Sequence, residues 1–152
     1  MKKAALLIIA ITGLILSPLN AQLMKLKVTI GNKEFTATLN DSEASKEFVK
    51  MLPLEVSMRD HGGFEKTTSL SKSIPGRSSN PGRSSNPGRI NVGDIMVWSG
   101  SSLVLFYSAH NTSYSYIKLG RIDNTSGMLE AMGRGSVKVK YELLKEDKED
   151  KE

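Results

Sequence analysis

The 152-residue chain contains no cysteine and only two histidines, and these absences exclude several kinds of site. Disulfides, thiolate metal sites, cysteine nucleophiles and CxxC redox pairs all require cysteine. A site with three histidine ligands would need more imidazoles than one chain supplies. The sequence also has no G-x-S-x-G motif, the nucleophile elbow of many serine hydrolases. We therefore predict neither a metal site nor a cofactor.

Long apolar runs are scarce, and the longest one lies at the N-terminus over residues 4–16. It follows Lys2 and Lys3, which is the layout of a secretory signal peptide. The run is shorter than the roughly 20 apolar residues of a membrane span. We predict a signal peptide over residues 1–21, with an uncleaved N-terminal anchor as the alternative. The domain over residues 22–144 would then be a periplasmic or secreted bacterial monomer without a stable membrane anchor.

Positive charge is present only in modest excess. Loss of Lys2 and Lys3 with the signal would lower the formal net charge from +5 to +3. Nucleic-acid binding requires basic residues gathered on one face, whereas here they are scattered along the chain. We therefore predict that nucleic acid is not a partner.

Apolar residues alternate with polar ones through most of the chain after the signal, which is typical of half-buried strands. One helix is clear over residues 41–51, where Ala44 and Phe48 repeat at helical spacing before Pro53. Residues 128–132 can form one further helical turn. Because so many short strands expose fewer edges when the sheet closes, we predict a mainly β, closed eight-stranded antiparallel barrel with one clear capping helix. The predicted strands are residues 24–30, 35–39, 54–58, 64–70, 95–98, 103–107, 114–122 and 137–143.

A tandem hexapeptide, PGRSSN, occupies residues 75–89 as two full copies and a partial third. It offers no apolar side chain to bury, so we predict a mobile loop that carries three arginines. The loop is either an arm that binds anionic partners or a neutral insertion, which costs only about 0.6 kcal/mol per doubling of loop length. The charged segment over residues 145–152 is predicted to be disordered.

Three segments together resemble the cyclophilin-like family of small bacterial barrels. Residues 39–52 are similar to the first cyclophilin helix, in which an Ala and a Phe pack on the barrel end. Residues 92–98 and 103–108 resemble two strands of the family, and residues 115–122 match its S-Y-x-x-L-G-x-I segment. The resemblance covers residues 24–144, and it implies a barrel of eight antiparallel strands with helical caps.

The same resemblance implies a groove that binds a peptide or small ligand. Candidate ligand-binding residues are Phe64, Trp98, Phe106, Tyr107, His110 and Tyr116. The alternative is a weak prolyl isomerase, in which Arg59 would be the catalytic donor to the imide nitrogen of proline. The segment after Arg59 has a double glycine and Phe64, but it lacks the glutamine of the isomerases. The aromatic residues have a second interpretation as core or barrel-mouth packing, since half of the side chains on a strand point inward.

Overall fold

A computed structural model describes residues 23–74 and 84–145. The predicted signal peptide, residues 75–83 of the repeat and residues 146–152 of the charged segment lie outside the described residues. Within the described ranges, no helix has the length and apolar character that crossing a membrane requires.

Ten strands and two short helices make up the described chain. The strands are β1 (Lys25–Ile30), β2 (Lys33–Leu39), β3 (Leu54–His61), β4 (Glu65–Ser69), β5 (Arg89–Ile90), β6 (Asp94–Trp98), β7 (Ser102–Phe106), β8 (His110–Asn111), β9 (Ile117–Ile122) and β10 (Val137–Leu143). The helices are α1 (Glu43–Val49) and α2 (Met128–Met132).

Eight of the strands close into an antiparallel barrel in the order β1-β10-β3-β4-β7-β6-β9-β2. The remaining two, β5 and β8, pair with each other outside it. Closure leaves the barrel strands with a neighbour on each side, so the described sheet has no long free edge. The predicted closed barrel is confirmed.

Helix α1 packs Ala44 and Phe48 into the barrel interior, where the Phe48 ring meets Tyr141 edge-on at 5.6 Å between ring centroids. It begins after Ser42, whose hydroxyl accepts a hydrogen bond from the backbone N–H of Ser45 at 3.1 Å. The helix is therefore shorter than the predicted 41–51 at both ends. After its C-terminal end, the backbone N–H groups of Met51 and Leu52 donate to the carbonyl oxygens three residues back, which is a tighter geometry than the α-helix.

Helix α2 confirms the predicted helical turn over residues 128–132. The structure corrects the sequence-based boundaries at two further points. Strand β7 ends at Phe106, and Tyr107 lies beyond it. Strand β9 begins only at Ile117, because the backbone of Tyr116 pairs instead with Ser85, outside the barrel.

Gly120 in β9 shows why one residue of the family-like segment is glycine. A Cβ atom at this position would overlap the backbone carbonyl of Thr38 in the neighbouring strand β2. Only glycine therefore permits this close approach of β9 and β2.

The wall made by β4, β7 and β6 has a hydrophobic layer on each side. On β7, Leu103 and Leu105 point into the interior core, whereas Val104 and Phe106 point outward into a second cluster. All four are buried, so this strand is buried on both faces. We call the second cluster the outer layer; its members are Ile90, Met96, Val104, Phe106 and Tyr116.

Candidate functional site

A cavity of about 640 Å³ lies against the outer face of this wall. Its floor is formed by outward-pointing residues of the barrel strands, and its far side is formed by the chain from β8 to Tyr116. The lining residues are His61, Phe64, Glu65, Thr67, Trp98, Ser102, Val104, His110, Asn111, Thr112, Ser113, Tyr114 and Tyr116.

Strand register explains how these floor residues come together. In the β4–β7 pair Thr67 lies opposite Val104, and in the β3–β4 pair His61 lies opposite Glu65. Since side chains of directly paired residues point to the same face, all four lie on the outer surface. Trp98, at the end of β6, lies opposite Ser102 and completes the floor.

The aromatic residues of the cavity are stacked around Phe64 and Phe106. The Phe64 ring is 4.4 Å from the His110 ring and 6.5 Å from the His61 ring, measured between centroids. Phe106 lies fully buried beneath His110 and Tyr116, with centroid distances of 5.7 and 5.5 Å. This packing fixes the rings that face the cavity.

The far side of the cavity is held in place by the C-terminal part of the repeat segment. Ser85 and Tyr116 exchange two backbone hydrogen bonds of 2.9 Å each. The carbonyl oxygen of Gly88 accepts a hydrogen bond from the backbone N–H of Thr112, and Arg89 pairs with Asn111 in the β5–β8 ladder. Ser85, Gly88 and Arg89 thus pair with the backbone of the far side, while the predicted mobility of the segment stays a prediction.

Ile90 determines the register of the repeat against this wall. The repeat units are identical, so a slip by six residues would preserve every repeat side chain next to β8. It would, however, put Ser84 where Ile90 is now fully buried in the outer layer. Burying a hydroxyl in place of an aliphatic side chain is unfavourable, so the observed register is favoured.

Among the residues that the structure describes, Glu65 is the one carboxylate that lines the cavity. Its side chain is buried, with only 7% of the residue exposed, and Oε2 has no hydrogen-bond partner within residues 23–74 and 84–145. Burial raises the pKa of this carboxyl above its ordinary value of 4.5, and the neighbouring His61 and His110 partly offset that rise. The cavity therefore contains a buried acid with one oxygen that lacks a hydrogen-bond partner.

His110 has its protonation site defined by a backbone contact. Its Nδ1 lies 3.1 Å from the carbonyl oxygen of Ser108, and a carbonyl oxygen can only accept. The neutral ring therefore carries its proton on Nδ1, which leaves Nε2 as a hydrogen-bond acceptor. In the part of the chain that the structure describes, no three histidine, aspartate or glutamate side chains come close enough to hold a metal ion.

The sequence-predicted residues fall into two groups around this site. Phe64, Trp98, His110 and Tyr116 line the cavity, and Phe106 forms its buried base. Tyr107 and Arg59 do not line it. Arg59 is exposed on the outer face of β3, opposite Thr67 of the cavity floor.

Tyr107 belongs to a polar cluster at the interior side of the wall. Its hydroxyl donates to Asp60, and its ring lies 5.4 Å below the ammonium group of Lys66. Burial, with the Asp60 hydrogen bond as the next cause, raises the pKa of Tyr107 to about 12. The same hydrogen bond is the largest cause that lowers the pKa of Asp60. Tyr107 therefore contributes to the packing of the barrel wall through its contacts with Asp60 and Lys66.

Sequence reasoning missed Glu65, Thr67 and Ser102, the polar residues of the floor. Residues 64–70 alternate poorly, so their sequence gives no sign of which side chains point outward. The one usable signal was the order Glu65-Lys66, since opposite charges on consecutive strand residues must point to opposite faces.

Comparison with known proteins decides the family. The cyclophilin-like family model matches residues 28–142. The chain belongs to the cyclophilin-like family.

A solved structure supports the same fold. The cyclophilin-like chain is similar to the solution structure of the hypothetical protein AF2241 from Archaeoglobus fulgidus, with a TM-score of 0.58 and 16% sequence identity. The match covers 80% of this chain and 95% of the archaeal one. At this identity the likeness shows the fold alone. No curated protein matches the cyclophilin-like chain in sequence.

Proposed function

We propose that this cyclophilin-like barrel is a secreted protein that binds a peptide or small ligand in the outer cavity, without strong catalysis. The observation that carries the proposal is the cavity itself. Its volume of about 640 Å³ lies within the roughly 300–1,000 Å³ of small-molecule sites. Its floor combines buried aromatic and aliphatic side chains with a few polar groups, Glu65, Thr67 and Ser102, which is the composition that gives such sites both affinity and orientation.

Trp98 makes the proposal directly testable, because it is the single tryptophan of the chain and lines the cavity. We would titrate residues 22–152, which contain every described element, with acetylated and amidated peptides of sequence Ala-Xaa-Pro-Ala. Binding in the cavity should saturably change Trp98 fluorescence. Absence of any saturable change across the peptide series would contradict peptide binding at this site.

A matched pair of variants separates cavity binding from binding elsewhere. Thr67→Phe adds a ring to the cavity floor and should abolish the fluorescence response. Thr29→Phe makes the same change on the outer face of β1, which lies on the opposite side of the barrel from β4 and β7. The Thr29 variant should bind like the unmodified protein. Equal loss in both variants would indicate a general effect on folding instead.

A weak prolyl isomerase is the second candidate, and one observation favours it. Arg59 is paired with Thr67 of the cavity floor, so the two side chains point to the same face of the sheet and Arg59 lies next to the cavity. Catalysis would require that guanidinium to reach the imide nitrogen of a bound proline, across a rotation barrier of about 18–20 kcal/mol. Acceleration of X-Pro isomerisation that is lost in Arg59→Ala would support this candidate, and no acceleration at high protein concentration would dismiss it.

Secretion is part of the proposal and has its own test. The supporting feature is the basic and then apolar N-terminus over residues 1–21. Mass spectrometry of the protein from fractionated bacterial cells should find Gln22 at the N-terminus in the periplasmic or external fraction. Recovery of intact Met1 in the membrane fraction would favour the uncleaved anchor.

A further inference from the structure

The unpartnered carboxyl of Glu65 narrows the class of ligand that the cavity can take. Buried carboxylates in folded proteins are almost always hydrogen-bonded, and an exception needs an explanation. Glu65 is more than nine-tenths buried, it faces the cavity, and its Oε2 has no partner among residues 23–74 and 84–145. A missing donor at this point is most simply supplied by a ligand.

The lysine next to Glu65 in the sequence is directed away from it. Lys66 follows on β4 and therefore points to the opposite face of the wall. Its ammonium group contacts the carbonyl oxygens of Gly133 and Gly135 at 3.2 and 2.6 Å, and Asp60 at 3.2 Å. These contacts occupy its three protons, so Lys66 cannot neutralise Glu65 without breaking them.

The rest of the cavity suits a positive charge as well. Trp98 and Tyr114 are 48% and 63% exposed, so they lie at its open side. Aromatic faces attract ammonium and guanidinium groups, and the alkyl stems of lysine and arginine pack well against them. At the inner side, the neutral His110 ring presents the acceptor Nε2. An anionic ligand would meet only repulsion from Glu65.

Resting on the proposed function, we propose that the cavity binds the basic side chain of a peptide, with Glu65 as counter-ion to its ammonium or guanidinium and with Trp98 and Tyr114 at the entrance. Thr67 and Ser102 then offer hydroxyl groups to the polar atoms of the peptide beside the basic residue. Binding of the cation supplies the hydrogen bond that Glu65 lacks and neutralises a charge that is costly to leave buried alone.

Peptides that differ only in charge test this proposal. The probes are acetylated and amidated Ala-Lys-Pro-Ala, the same peptide with norleucine for lysine, and the same peptide with glutamate for lysine. Norleucine has the alkyl stem without the ammonium group. Trp98 fluorescence should show the lysine peptide binding about tenfold more tightly than the norleucine peptide, which corresponds to about 1.4 kcal/mol. The glutamate peptide should bind most weakly.

Variants at Glu65 assign the preference to its carboxylate. Glu65→Gln should weaken binding of the lysine peptide far more than binding of the norleucine peptide, so that the tenfold preference is lost. Glu65→Asp retains the charge and should retain part of the preference. Glu130→Gln removes an exposed carboxylate on α2, outside the cavity lining, and should change nothing.

The outcomes distinguish this proposal from the function on which it rests. Equal binding of lysine and norleucine peptides to the unmodified protein would overturn the cationic preference and leave peptide binding intact. Equal weakening of both peptides by Glu65→Gln would also overturn it, since the residue would then only maintain the shape of the cavity. If no peptide changes the Trp98 signal, the proposed function itself fails.

Discussion

The wall formed by β4, β7 and β6 has a hydrophobic layer on each face, and the two faces of β4 differ in how their charged groups are satisfied. On the interior face, Lys66 is completely buried and contacts Asp60 and two glycine carbonyls. On the outer face, Glu65 is almost as deeply buried and its Oε2 has no partner in the described ranges. The two residues are neighbours in sequence, in the same strand, within one wall.

This difference teaches how to interpret a buried charge. A buried ion with all its hydrogen bonds made within the chain is part of the structure, because removing it leaves several groups unsatisfied at once. A buried ion that lacks partners and faces an open cavity has a cost that protonation or a bound ligand can offset. By this criterion Lys66 stabilises the barrel and Glu65 belongs to the proposed binding site, although burial alone would rank the two together.

The largest expected effect concerns the interior charge. Lys66→Met fills a similar volume without the ammonium group, so the carbonyls of Gly133 and Gly135 lose their donor and Asp60 loses its cation. We expect a loss of roughly 2–3 kcal/mol in the free energy of unfolding by urea denaturation, toward the low end for a broken buried pair because Asp60 is partly exposed. Lys72→Met, at an exposed position, should change it by less than about 0.5 kcal/mol.

If Lys66→Met and Lys72→Met lower the free energy of unfolding by the same small amount, our interpretation of the interior charge is wrong. That result would mean that the three contacts of Lys66 contribute no more to stability than an exposed lysine does.

The second largest expected effect is that of Glu65→Gln, which should raise the free energy of unfolding instead of lowering it. Glu65→Gln removes an unpaired buried charge, so we expect the variant to be more stable than the unmodified protein by about 1 kcal/mol at pH 7. The pKa of Glu65 is raised in the folded protein above its ordinary 4.5. Stability from the neutral acid is therefore fully present below about pH 4.5 and is lost as the pH rises through the folded pKa.

Urea denaturation at several pH values checks both parts of this expectation. The two proteins should have nearly equal free energies of unfolding at pH 4, and the variant should gain its advantage between that pH and 7. A variant that is less stable than the unmodified protein at pH 7 would show that Glu65 has an internal partner, and the contrast with Lys66 would disappear.

The barrel was predictable from the sequence because its interior alternates clearly. Leu26, Val28 and Ile30 of β1, and Val139 and Tyr141 of β10, are buried as the period of two requires. Phe48 at helical spacing marked the helix that packs into the interior. These signals are local, so a single sequence carries them.

The outer cavity was only partly predictable, since its walls come from long-range pairing. The pairing of Ser85 with Tyr116 joins a polar repeat to a segment whose sequence alternates like a strand. In the predicted strand over residues 114–122, that alternation puts the side chains of Tyr114 and Tyr116 on the same face. In the structure Tyr116 is buried and Tyr114 is exposed, because this segment lies outside the barrel. The position of Glu65 depended on the register of β4, which has too few apolar residues to define it from sequence.

The smallest expected effect concerns the far side of the cavity, where the two identical repeat units provide a matched pair. Ser85→Pro removes the backbone N–H that donates to the Tyr116 carbonyl, so the chain that bears Tyr114 and Tyr116 loses one of its attachments. We expect a loss of roughly 0.5–1 kcal/mol in the free energy of unfolding and a weaker response of Trp98 to peptide. Ser79→Pro is the same substitution in the first unit and leaves the Ser85–Tyr116 bonds intact, so it should not reproduce either effect of Ser85→Pro. If the two variants behave alike, residues 84–89 do not support the cavity, and the outer layer ends at Ile90.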